Sequence, residues 1–291
     1  MAALEDSIAS LGSPLLLRAL RASSSEVGTI ARWRHGATTI DIAPSDTIRL
    51  VMTLVDVQNV RNRAGGFRAD RLRGGSISVF PPAEATRISV GGDADVLQIL
   101  LKQSYAEAML KSHLAGPSMF DLRDDRMQAI VMQILVGSAQ SGPDDALMVE
   151  EGLHCLARRI GDHAARLRVQ QRTPVARGRG GLAPAARRRV EDLISVALEE
   201  ASSPSLSYLA SAAGLSVTHF VRAFRYEKGL APHKYLVRRR MERAILLLRS
   251  PHVPVAEVAD KAGFSTPAHF VATFRSTMGV TPAAVREALA K

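Results

Sequence analysis

The chain has 291 residues, 46% of them hydrophobic, which is enough for about two domains with cores of their own. Its single cysteine, Cys155, excludes an intramolecular disulfide framework and fits a reducing, cytoplasmic setting; no apolar run approaches the length of a membrane span. The net charge of +10 is uneven, since residues 1–162 hold 17 Lys+Arg against 19 Asp+Glu and residues 163–291 hold 21 against 9. A surplus confined to one half is the electrostatic footprint of a nucleic-acid-binding domain, whereas a uniformly basic chain would suit membrane surfaces or acidic proteins nearly as well.

Residues 1–30 read as a short lead with a helix around Leu15–Leu20, and Glu5 and Asp6 stand where a secretory leader would be positive. From Thr38 to Leu101 the texture is β. Ile40 and Ile42 alternate, then Ile48, Leu50, Met52 and Leu54, then Ile77 and Val79, then Ile88 and Val90. Gly65-Gly66, Gly74-Gly75 and Gly91-Gly92 punctuate these runs like turns or bulges, and the spacing predicts a small sandwich or barrel.

From about residue 104 the period becomes helical, with helices predicted over Tyr105–Leu114, Asp124–Val136 and Asp145–Arg159. Val149, Leu153, Leu156 and Ile160 form a packing seam, read first as core of one chain and, as the sharper alternative, as the interface of a homodimer. Asp124-Asp125, Asp144-Asp145 and Glu150-Glu151 read as helix-start charges favourable to the macrodipole. The stretch QQRTPVARGRGGLAPA lacks acidic residues and is a linker by composition, so the expected division is 1–168, a basic linker at 169–184, and 185–291.

Residues 207–232 and 256–282 are two copies of one pattern. Ala210, Ala213, Gly214 and Ser216 recur as Ala259, Ala262, Gly263 and Ser265; after a one-residue insertion, His219, Phe220, Phe224, Arg225, Gly229 and Pro232 recur as His269, Phe270, Phe274, Arg275, Gly279 and Pro282. In the first copy Leu206, Leu209, Ala210 and Ala213 share one helical face, Gly214 ends the helix, and Ser216 caps the next. Phe220 and Phe224 lie one turn apart and face inward, which leaves Val217, Thr218, Val221, Arg222 and Arg225 facing out. Two helices joined by a short glycine turn form a helix-turn-helix, with motifs at about 206–228 and 255–278. Between them His233–Leu248 reads as one helix of roughly 25 Å with a basic Arg238–Arg240 run.

Through LASAAGLSVTHFVRAF, GLAPHKYLVRRRMERAILLL, VAEVADKAGFSTPAHFVATFR and MGVTPAAVR, residues 185–290 resemble the AraC/XylS family of bacterial transcription regulators. Residues 74–101 more loosely resemble the cupin-like sensor of many such regulators. The resemblance implies an α+β chain, with a β-rich cupin-like barrel and appended helices followed by an all-α domain of two helix-turn-helix motifs. Its implied partners are double-stranded promoter DNA, RNA polymerase and a small organic effector, and its implied role is more often activation than repression. Thr218, Val221 and Arg222 are then expected to face the bases, with Val217 and Arg225 nearby; arginine can grip guanine O6 and N7. The second copy offers Thr266, Pro267, Val271 and Ala272, with Ala272 at the place of Arg222, so it is expected to position through phosphate contacts such as Arg275.

Two other readings belong to different classes. A cupin dioxygenase or isomerase needs a histidine pair with a carboxylate and a later histidine, but the β region offers only His35, with His113 well beyond it. Asp93-Ala-Asp95 reads as a solvated turn rather than a cation site, Trp33 and the repeated histidines as packing or capping groups, and no catalytic, metal or cofactor constellation emerges. The remaining alternative keeps the DNA binding and gives the N-terminal half only dimerisation or a protein partner.

Overall fold

A computed structural model describes all residues except 1, 23–24, 63–65, 83, 111–117, 141, 173–180 and 291. His113, Gly65, the end of the helix expected over Tyr105–Leu114 and half of the expected linker lie outside the described residues. The chain divides into two compact units, Met1–Val169 together with Arg275–Lys291, and Gln170–Phe274.

The first unit opens with α1 (Ala2–Leu11), which the sequence pattern did not announce. The leucine-rich stretch expected to be helical is instead strand β1 (Leu16–Ala22). Leu16 and Leu20 are buried while Leu15 and Leu17 are exposed, and β1 pairs antiparallel with β2 (Ser25–His35). So short an apolar run fits either period, and the ladder to β2 decides it. Then come β3 (Thr38–Ile42), β4 (Thr47–Thr53), β5 (Val57–Asn62), β6 (Arg68–Leu72), β7 (Ile77–Phe80), β8 (Thr86–Val90), β9 (Ala94–Lys102) and, after α2 (Gln103–Leu110), β10 (Met119–Leu122).

These strands form one sheet of order β1-β2-β9-β4-β7-β10 and another of order β3-β8-β5-β6. Among the described residues the sheets do not close into a barrel. Side chains from both meet in a shared core that includes Trp33, Ile40, Val57, Phe80, Ile88 and Val96. Trp33 is fully buried there, and its Nε1–H donates to Gly12 O at 3.1 Å, satisfying the one polar atom of the ring.

Asp95 does not sit in a solvated turn. It is 1% exposed on β9 and accepts from Arg32 Nε at 3.0 Å and Nη2 at 2.8 Å, with Arg34 Nε at 3.3 Å. The cross-strand pairing of β2 with β9, which sets Arg34 opposite Asp95, brings these groups together. A buried carboxylate needs such partners, because unpaired it would lose its hydration without compensation.

Helices α3 (Asp125–Gly137) and α4 (Pro143–Arg172) follow. Val149, Leu153, Leu156 and Ile160 are all buried within the chain, so the seam is core. A Cβ on Gly152 would lie 2.7 Å from Ile134 Cγ1, so this glycine permits the close approach of α4 to α3. Asp144 and Asp145 lie in the first turn of α4, but Glu150 and Glu151 fall within that helix rather than at its start.

The second unit contains α5 (Pro184–Glu199), α6 (Leu206–Ala213), α7 (Val217–Lys228), α8 (Pro232–Leu248), α9 (Val255–Lys261) and most of α10 (Pro267–Met278). Its core gathers Val190, Ile194, Leu209, Phe220, Phe224 and Tyr235. The last helix, α11 (Pro282–Ala290), groups with the first unit and packs on α3. Arg18 Nη2 donates to Ala288 O at 2.7 Å and Arg32 Nη1 to Leu289 O at 3.0 Å. Those carbonyls belong to the final turn, where no intrahelical donor remains, and cations there also meet the negative end of the helix dipole.

Asp124 is the N-cap of α3. Its Oδ1 accepts from the N–H groups of Arg126 at 3.0 Å and Met127 at 3.1 Å, and its Oδ2 from Arg159 Nε and His163 Nε2, both at 2.9 Å. Burial alone would raise the pKa of this carboxyl, but the hydrogen bonds from His163, Arg159 and the Met127 N–H outweigh it and hold the group well below the usual carboxylate range. The resulting stability is present above the unfolded value of about 3.9 and is lost as pH falls through the folded value. Asp124→Asn should therefore lower stability at pH 7 by about 1.5–3 kcal/mol, and the gap to wild type should narrow on acidification below about pH 4. Urea unfolding of both proteins across pH checks this.

Candidate nucleic-acid interface

The two repeats become helix pairs α6–α7 and α9–α10. Gly214 adopts φ +69°, and the chain end of α6 closes with Gly214 N–H to Ser211 O at 2.9 Å and Leu215 N–H to Ala210 O at 3.0 Å. Gly263, at φ +83°, repeats the arrangement with Gly263 N–H to Asp260 O at 2.8 Å and Phe264 N–H to Ala259 O at 2.9 Å. This paired closure needs a left-handed residue, which glycine supplies without a side-chain clash.

The caps of the second helices differ from the sequence alignment. Ser216 Oγ accepts from the His219 N–H at 3.4 Å, but in the second copy Thr266 Oγ1, not Ser265, accepts from the His269 N–H at 3.2 Å. The extra residue therefore lies inside the turn, where Phe264 is 6% exposed and packs on Phe270 with ring centroids 5.3 Å apart. Pro267 follows as the first residue of α10, a position where its missing N–H has no partner to lose.

Phe220 and Phe224 are wholly buried on α7, as are Phe270 and Phe274 on α10. The opposite face of α7 presents Val217, Thr218, Arg222 and Arg225 to solvent, with Val221 half-buried against the core cluster. On α10, Pro267, Ala272 and Arg275 are exposed, Thr266 is an exposed cap, and Val271 is half-buried. Leu206, expected on the inward face, is 39% exposed at the start of α6. His219 and His269 also differ from expectation: their backbone N–H groups are capped while their side chains are exposed, the His269 ring standing edge-on to Phe264 at 5.5 Å.

Among the described residues, Arg222, Arg225 and Arg275 have no ion-pair partner, so their donors face solvent. The Arg238–Arg240 run of α8 is used differently. Arg238 and Arg239 lie on the buried Glu242 at 3.7 and 3.2 Å, and Arg240 donates to Ser202 O at 3.3 Å and to Ser203 Oγ while its guanidinium stands 5.7 Å over the Phe264 ring. No group of three or more metal-ligating side chains occurs among the described residues, and no helix there is long and apolar enough to cross a membrane.

A helix-turn-helix domain family matches residues 209–288. The C-terminal region therefore holds a helix-turn-helix domain. Similar proteins include the probable transcriptional regulator LumQ of Photobacterium leiognathi, 33% identical over 78 residues, which are 27% of this chain and 32% of that protein. The regulator Rv1931c of Mycobacterium tuberculosis is 37% identical over 82 residues, 28% of this chain and 32% of that protein. The transcriptional activator NphR of a Rhodococcus species is 35% identical over 99 residues, 34% of this chain and 29% of that protein. The chain thus spans about a third of the length of these relatives.

The two turn glycines are expected to respond differently to substitution. A Cβ at Gly214 meets nothing within 4 Å, so Gly214→Ala carries only the left-handed backbone penalty of about 1–2 kcal/mol. At Gly263 the Cβ would lie 3.1 Å from Arg240 Nε and 3.3 Å from Ala201 O, so Gly263→Ala should lower the thermal midpoint further. Equal midpoints for the two variants would show that Arg240 does not constrain the second turn.

Proposed function

We propose that the chain is a sequence-specific DNA-binding transcription regulator, more an activator than a repressor, that reads promoter DNA chiefly through its first recognition helix. The observation that carries this is the solvent face of α7, where Arg222 is exposed without an acidic partner beside the exposed Thr218 and Arg225. A guanidinium so placed can form the bidentate contact to guanine that discriminates bases. Val217 and the half-buried Val221 offer apolar contact of the kind a thymine methyl accepts. On α10 the equivalent of Arg222 is Ala272, and Thr266 is engaged as the cap, so Arg275 is left to hold phosphate.

We read the two-sheet region as a cupin-like sensor, and the regulator as working with RNA polymerase under control of a small organic effector. A cavity between the sheets favours that reading over an N-terminal half that only assembles. The effector would act by favouring one conformation over another, since equal affinity for both shifts nothing.

Selection of random duplex DNA by the intact protein tests the DNA reading, and an enriched motif is the expected result. Arg222→Ala should weaken binding by about 1–3 kcal/mol and relax the preference at one base. Ala272→Arg should add a preference at one further position. Salt-sensitive binding without any enriched motif would mean phosphate affinity alone. Wild-type preferences in both variants would overturn the division of labour between the helices.

A further inference from the structure

The two sheets of the first unit enclose a cavity of about 70 Å³. Its walls are mainly apolar, with Ile40, Val57, Val60, Leu72, Phe80 and Phe120 among them. One cation breaks this surface. Arg49, on the central strand β4, lines the cavity and is only 3% exposed. Of its five N–H donors a single one is used among the described residues, Nη2 donating to Ala3 O at 2.9 Å, and its Nε is buried without any acceptor. Burial pushes the guanidinium down to about 10, with Asp6 opposing, so it remains protonated at neutral pH. The Ala3 carbonyl and the Asp6 charge compensate this buried cation only in part, and its Nε is left to a partner from outside.

We propose that this cavity binds a small monocarboxylic acid, its carboxylate gripped by Arg49 and its hydrocarbon part enclosed by the apolar walls. The planar fork of arginine matches the two oxygens of a carboxylate, and the low-dielectric surroundings strengthen the pair. The apolar lining asks for a hydrocarbon body, which a bare inorganic anion lacks. Volume limits that body: a cavity of roughly 150 Å³ accommodates benzene, so a site about half that size suits a short-chain acid. Ser78, Thr53 and Gln98, also on the lining, can supply further polar contacts beside the guanidinium. The sensing role of such an acid rests on the regulator reading above; its binding does not.

The test is thermal melting and calorimetric titration of the intact protein with acetate, propionate, butyrate and isobutyrate, with butyramide as the neutral counterpart of butyrate. At least one short acid should raise the melting midpoint, and butyramide should not match butyrate where butyrate binds. Arg49→Met replaces the cation with an apolar chain of similar length, a change that usually leaves a fold as stable or more so. It should weaken acid binding about ten- to a hundredfold, the loss of a charge-assisted pair. No response to any of the four acids, an equal response to butyramide and butyrate, or undiminished binding by Arg49→Met would overturn the proposal. Should Arg49→Met fail to fold, the acid-against-amide contrast in the wild type decides. DNA binding by the same samples separates the two readings. Selected DNA bound without any acid bound overturns the cavity site alone. An acid bound without effect on DNA affinity supports the site and overturns its sensing role.

Discussion

Phe220 and Phe224, like Phe270 and Phe274, are completely buried, and side chains one helical turn apart share a face. Burying each pair therefore fixes the rotation of its helix about its own axis. The rings also touch, with centroids 5.4 Å apart in the first pair and 5.6 Å in the second. At roughly 1.5–3 kcal/mol for each buried phenylalanine, turning such a helix to present another face is prohibitive. This rotation leaves Thr218, Arg222 and Arg225 exposed in one copy and Ala272 and Arg275 in the other, and these are the side chains proposed to face DNA. The turn glycines serve the same constraint, because their paired hydrogen bonds set the angle at which the chain enters the second helix.

The same constraint explains what was legible in the sequence. The C-terminal half could be read because glycine, cap and phenylalanine recur at fixed spacing, and each has one dominant physical reason to be there. The N-terminal half was legible only as texture. Leu16 and Leu20 suit a helix as well as a strand, and β2 carries no period-two pattern because Ile30, Ala31 and Trp33 are all buried, without alternation. Asp95 looked like part of a turn because its partner Arg32 lies 63 positions away along the chain, and only the β2–β9 register joins them. Arg49 gave no signal at all. An arginine in an alternating strand is ordinarily a solvent-facing residue, and its burial depends on the second sheet and on α1.

The two motifs are copies in architecture but not in chemistry. The second inserts Ser265 between its turn and its cap, and Phe264, 6% exposed, adds apolar surface at the place where the first has Leu215, 36% exposed. The cap moves to Thr266, and Pro267 takes the place of Val217 in the first turn. These changes favour a firmly seated helix with few polar groups at its leading end. A motif modified in that direction suits backbone positioning, where rigidity matters more than hydrogen-bonding reach.

Charge needs the same separation of field from contact. Residues 163–291 carry 21 basic side chains against 9 acidic ones, and that surplus draws in polyanions from a distance. Many of the cations are nevertheless engaged within the protein. Arg187 faces Glu227 at 3.6 Å, Lys228 pairs with Glu191, and Lys261 lies 2.6 Å from Glu257. Arg189 and Arg243 each donate to a backbone carbonyl at 2.8 Å, those of Ala212 and Lys261. The salt dependence of DNA binding counts phosphates contacted, not net charge, so such residues contribute to attraction more than to the released counterions. On the proposed reading, the arginines that the phenylalanine pairs turn outward, Arg222, Arg225 and Arg275, carry the contacts on which specificity depends.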